Sequence, residues 1–160
     1  MKQCNNIKLQ GFTLVELIVV FSVMAILSAL GIAGFNSYNQ AQKLQNATID
    51  VVSTLNLAKS RALSQVKPND IAICNSDDLK KYEVEVTGVK DYRLRVHCGS
   101  NVDDVYTKTL PNTITFVNFP VSFIFPVLTG GVETNGTITL RSGSTDKIIV
   151  IDELGGIKIQ

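Results

Sequence analysis

The stretch Phe12–Gly34, FTLVELIVVFSVMAILSALGIAG, constrains this chain more than any other. Its twenty-three residues carry one charge, Glu16. At about 1.5 Å per helical residue, such a run can cross a hydrocarbon core roughly 30 Å thick. A short polar leader with Lys2 and Lys8 precedes it, and Gly11 stands directly before Phe12. An ordinary secretory signal has a shorter apolar region followed by a small-residue cleavage site. Here the run is longer, and no such site follows. Lysines on the N-terminal side favour a cytoplasmic N-terminus, a single crossing and an external C-terminal part. A plain anchor accounts for length and orientation but not for Glu16. A carboxylate in a membrane helix costs roughly 2.5–3.5 kcal/mol near the centre, less near an end, and usually marks function.

The residues Gly11-Phe12-Thr13-Leu14-Val15-Glu16-Leu17, ahead of a long apolar run, resemble the processing site of type IV pilins and type II secretion pseudopilins. The resemblance implies that a prepilin peptidase cuts between Gly11 and Phe12 and methylates the new amine of Phe12. Residues 1–11 are then a cleaved leader, residues 12–34 a transmembrane and filament-core helix, and Glu16 the assembly carboxylate. The physical logic is independent of the resemblance. Cleavage creates a cation at Phe12, and Glu16 lies four residues on, along the same helical face. It can neutralise its own amine or a neighbouring subunit's. Burying both charges is tolerable only when they pair. The partners implied are the prepilin peptidase, other pilins or pseudopilins in a filament, an inner-membrane platform protein and its assembly ATPase. The implied location is the inner membrane, single-pass, with the C-terminal domain periplasmic or extracellular, and then the filament. Many relatives carry a proline about twenty-two residues into the mature chain; here Ala33 stands there, between Gly31 and Gly34.

After Gly34 the pattern turns amphipathic. Ala41, Leu44, Thr48, Val51, Leu55, Ala58 and Ala62 recur at alternating intervals of three and four, with Val52 and Leu63 widening the stripe. Such spacing predicts a helix over 35–67 with one buried face, packed on a sheet rather than in a coiled coil. Pro68 is expected to end it, since a residue before proline avoids α geometry. The segment LNLAKSRALSQ, residues 55–65, resembles a stretch of H-type minor pseudopilins and FimT-like minor pilins.

From Pro68 the period changes to two. IAIC (71–74), the alternation of Tyr82, Val84 and Val86, and that of Tyr92, Leu94, Val96 and Cys98 predict strands, with Gly88–Asp91 as a hairpin loop. VYTKTL (105–110), TITFVNF (113–119), VSFIF (121–125), TITL (137–140), KIIVID (147–152) and GIKI (156–159) follow. Pro111, Pro120 and Pro126 limit strands or place them at edges. The closing pattern again resembles the H-type and FimT-like group. The expected fold class is α+β: a long N-terminal helix, half apolar and half amphipathic, on an antiparallel β domain of residues 68–160 in two small sheets.

Cys4 lies in the leader, leaving Cys74 and Cys98, an even number in a part expected outside the membrane. A disulfide between them is one reading, and two buried thiols the other. Cys74, His97 and Cys98 lack a fourth ligand at metal-like spacing, so no metal or other cofactor is expected. His97 alternates to the face opposite Cys98 and reads as a surface residue. Asp77-Asp78 and Asp103-Asp104 read as solvated loop pairs. No catalytic motif appears, and a structural subunit is favoured over an enzyme. After Gly34, thirteen basic residues balance thirteen acidic ones, which argues against phosphate-backbone binding as the main task. The alternative is a FimT-like pilin that captures DNA for uptake. Some such members use a basic C-terminal motif. The matching region, Gly155-Gly156-Ile157-Lys158-Ile159-Gln160, offers only Lys158 as a weak DNA contact.

Overall fold

The computed structural model describes residues 12–68 and 73–160, and the side chains of all of these except residues 29–34, Ile73 and Asn75. The chain divides into two compact units, Met1–Tyr38 and Asn39–Gln160. Helix α1, Leu14–Leu63, begins in the first and ends in the second, and includes Gly31 and Gly34. Among the described residues, the second unit adds a short helix α2, Ile73–Ser76, and eight strands in two antiparallel sheets.

One sheet is built from β1 (Leu79–Val86), β2 (Asp91–Cys98), β3 (Asn101–Thr109) and β5 (Val121–Pro126), in the order β3-β2-β1-β5. The other contains β4 (Thr115–Phe116), β6 (Gly136–Ser142), β7 (Thr145–Ile151) and β8 (Ile157–Ile159), in the order β4-β6-β7-β8. The α+β class and the two small sheets expected from the sequence are both present. Alternation sets the register: Tyr82, Val84 and Val86 pair with Val96, Leu94 and Tyr92, and all six are buried. The intervening residues are left for the other face.

A single core joins the helix to both sheets. From α1 come Leu44, Ala47, Val51, Leu55, Ala58 and Ala62; from the strands come Tyr82, Leu94, Phe123, Phe125, Ile138, Leu140, Ile149 and Ile151. Two threonines share the helix's buried face. Thr48 and Thr54 satisfy their hydroxyls by donating to the carbonyls of Leu44 and Asp50, one turn earlier. Tyr92 and Phe116 meet edge to face at 5.8 Å, linking the sheets.

Several expectations are corrected. The helix ends at Leu63, not at Lys67 before Pro68. Gln65 adopts a left-handed conformation (φ 52°), its N–H donates to Ala62 and that of Val66 to Arg61. These paired bonds satisfy the last carbonyls and stop the helix ahead of the proline. Ala41 and Leu63 are exposed rather than part of the stripe. Cys74 lies in α2 and not in a strand; Asp70, Ile71 and Ala72 lie outside the described residues. Asp103 and Asp104 belong to β3, where Asp104 pairs with Arg95 across the sheet.

Candidate functional site: the N-terminal segment

Thr13 starts α1. Its side-chain oxygen accepts the backbone N–H of Glu16 at 3.2 Å, and its carbonyl accepts that of Leu17. A threonine cap with a glutamate three residues on is the capping-box spacing, and it explains why the helix begins here. Glu16 therefore sits in the first turn, where the helix dipole favours a negative charge. All side chains from Phe12 to Ser28 are exposed, with Phe12 at 78 %. Apolar residues occupy every side of this part of the helix. Such a helix is found buried in a membrane or inside a larger assembly. No helix of the described residues is long and apolar enough to cross a membrane. Residues 29–34, which complete the apolar run of the sequence, lie outside the described side chains.

Gly11, the residue expected before the cut, lies outside the described residues, and Phe12 is the first residue within them. Cys74 and Cys98 form a disulfide that ties α2 to the end of β2, with Cα atoms 5.3 Å apart. Bonded to each other, they are not metal ligands. His97 lies on the sheet's other face, its Nε2 2.8 Å from Glu83 Oε2. Lys158 lies exposed in β8, opposite Val150.

Two arrangements were missed from the sequence. The outer face of the β3-β2-β1-β5 sheet is a charge ladder. Arg93 pairs with Glu85 and Asp104, and Arg95 with Glu83, Glu85 and Asp104. The signal was present: Glu-x-Glu in β1 and Arg-x-Arg-x-His in β2 fall opposite each other once the hairpin register is fixed. The second is a clamp on the helix. Asp50 accepts Tyr92 Oη at 2.5 Å and Lys108 Nζ at 2.7 Å. Burial alone would raise the Asp50 carboxyl, but the hydrogen bonds from Lys108 and Tyr92 outweigh it and hold it below the ordinary value of 3.8. Burial, and then the Asp50 carboxylate, push the Tyr92 phenol far upward, so it stays protonated and donates.

No curated protein and no solved structure matches the chain. Residues 8–32 match the prokaryotic N-terminal methylation motif. The matched span holds Gly11, Phe12, the Thr13 cap and Glu16, and this motif marks the segment as a type IV pilin-like N-terminus of the kind that prepilin peptidase processes.

Proposed function

We propose that this chain is a minor pseudopilin or minor pilin of the H-type or FimT-like group, a structural subunit rather than an enzyme. The prepilin peptidase removes residues 1–11 and methylates Phe12. The apolar helix of residues 12–34 holds the protein in the inner membrane until a platform protein and its ATPase assemble it with other pilins. The observation that carries this reading is the methylation motif, with its carboxylate in the capped first turn of a helix that is apolar and exposed on every described side. An exposed apolar helix needs lipid or other helices around it, and a charge among such surroundings needs an opposite charge. The methylated amine of Phe12 supplies that charge, within one subunit or between two. The DNA-uptake alternative rests on Lys158, a single cation in its strand, which is a small footprint for a phosphate backbone.

Processing is tested by intact mass. The mature protein should lack residues 1–11 and carry one added methyl group. Gly11→Val should leave the full-length chain in the membrane. Normal processing of that variant would put the cut elsewhere and remove the basis of the proposal.

A further inference from the structure

Among the described residues, Gln65 (φ 52°) and Leu128 (φ 67°) are the non-glycine residues in the left-handed region. Both donate their N–H to one carbonyl, that of Ala62 in the last turn of α1, at 3.4 and 3.3 Å. Gln65 serves the helix end. Leu128 belongs to the turn after β5, where Val127 N–H donates to the Lys80 carbonyl at 3.1 Å and the Thr129 hydroxyl to the Pro126 carbonyl at 3.2 Å. Glycine adopts this backbone conformation without steric cost and would donate the same bond. Leucine is unfavourable here twice, in its backbone and in its side chain, which is 68 % exposed. The fold gains nothing from that side chain.

Leu128 has apolar company. Leu63 and Val66, which flank the end of α1, are 42 % and 50 % exposed, and the Leu63 side chain lies against Gly130 of the same turn. Cations surround this trio. Arg61 stands beside the Tyr82 hydroxyl, which donates to the Val66 carbonyl; Lys67 follows Val66; Lys80 is bonded through its backbone to Val127. Lys67 Nζ donates to the Asp77 backbone carbonyl, so its charge is not neutralised. None of the three cations makes an ion pair among the described residues. Of the described acids in the flanking segments, Asp77 is held by Asn101 and Glu133 by Lys81, which leaves Asp78 against three cations. The patch is apolar at its centre and net positive at its rim.

We propose that this patch binds an acidic segment of a different protein, one with apolar side chains among its carboxylates. The apolar side chains cover Leu63, Val66 and Leu128, and the carboxylates meet Arg61, Lys67 and Lys80. Charge selects this occupant. A second copy laid on the same patch would oppose cation to cation. A phosphate backbone would use the cations and leave the exposed apolar trio without a role. The patch lies wholly in the unit Asn39–Gln160, so the proposal stands or falls apart from the filament reading.

Peptide binding to the full-length chain in detergent, followed by fluorescence anisotropy, tests this. The probe is a fluorescein-labelled peptide, Gly-Asp-Leu-Glu-Leu-Asp-Gly. One counterpart carries lysine in place of its acids, another serine in place of its leucines. The probe should bind saturably with a Kd below about 1 mM, and each counterpart at least ten-fold more weakly. Leu128→Gly should weaken binding at least ten-fold while Tm stays within about 3 °C of the wild type, because glycine suits the backbone and removes only the side chain. Lys67→Glu combined with Lys80→Glu should abolish binding of the acidic probe. No binding of the probe, equal binding of either counterpart, or a larger fall in Tm for Leu128→Gly would overturn the proposal; the last would show that the leucine serves the fold. In membranes, a photo-cross-linking benzophenone amino acid in place of Leu128 covers the other occupants. A product of twice the chain's mass would put a second copy on the patch, and a lipid adduct the bilayer; either overturns the proposal.

Discussion

Replacing Asp50 by alanine should destabilise the unit Asn39–Gln160 by about 2–3 kcal/mol. Two interactions are lost. The first is the charged acceptor for the Tyr92 hydroxyl; the Tyr92 residue is 1 % exposed, and the neighbouring Thr54 hydroxyl, which already accepts Tyr106, is a poor replacement. An unsatisfied buried polar group costs about 1–3 kcal/mol. The second is the ion pair with Lys108, whose side chains are 50 % and 41 % exposed for Asp50 and Lys108. Solvent screens such a pair to under about 1 kcal/mol. For a domain of this size the sum corresponds to about 6–15 °C in Tm. The assay is thermal and urea unfolding of residues 39–160, which contain every buried core residue described. The double variant Asp50→Ala, Tyr92→Phe discriminates. It removes the orphaned hydroxyl with its acceptor and should recover at least half of the loss. A loss under about 0.5 kcal/mol for Asp50→Ala, or a double variant less stable than the single one, would refute the assignment of the cost to the stranded phenol.

Two further outcomes follow from the same unit. Asp50 and Asp146 are held below the ordinary value of 3.8, Asp146 by its hydrogen bonds to Arg141. A depressed folded-state value contributes stability above the unfolded value that is lost as pH falls through the folded one. Stability should therefore be level from pH 7 towards about 5 and fall below about 3.8, less steeply for Asp50→Ala; equal slopes in urea titrations would exclude Asp50 as a contributor. Protein from an oxidising compartment should show no titratable thiol in the mature chain. Reduction of Cys74–Cys98, twenty-four residues apart, should cost about 3 kcal/mol on loop entropy, and two free thiols before reduction would contradict the bridge.

Much of the fold was legible because it follows from periodicity. The alternation from Tyr82 to Val86 and from Tyr92 to Cys98 located β1 and β2, since a strand with one buried face must alternate. The helical stripe from Leu44 to Ala62 was equally plain. The errors lie where local chemistry overrides pattern. Gln65 in a left-handed conformation ends α1 before Pro68 can, and helix-end geometry at a non-glycine residue leaves little mark in a sequence. The doubled aspartates 103–104 look like a loop in isolation, but on an edge strand opposite Arg95 their charge is accommodated and discourages further pairing. Tertiary pairings such as Asp50 with Tyr92 join residues forty-two positions apart, and no local rule reaches them. At the N-terminus the motif was readable from seven residues, whereas the capping role of Thr13 needed the geometry.

That capping geometry sharpens the test of Glu16. Glutamine in the same position keeps the capping-box spacing and the helix start but carries no charge. Glu16→Gln should therefore leave the helix and the cleavage after Gly11 intact while leaving the Phe12 amine uncompensated. Breaking a buried ion pair costs about 3–5 kcal/mol, a factor of several hundred or more in an assembly equilibrium. The measurement is the ratio of Glu16→Gln protein in sheared filaments to its level in the membrane, against the wild-type ratio. A fall of at least a hundred-fold with normal processing is the result expected of a filament subunit. Incorporation at the wild-type ratio would contradict the claim that this carboxylate governs assembly.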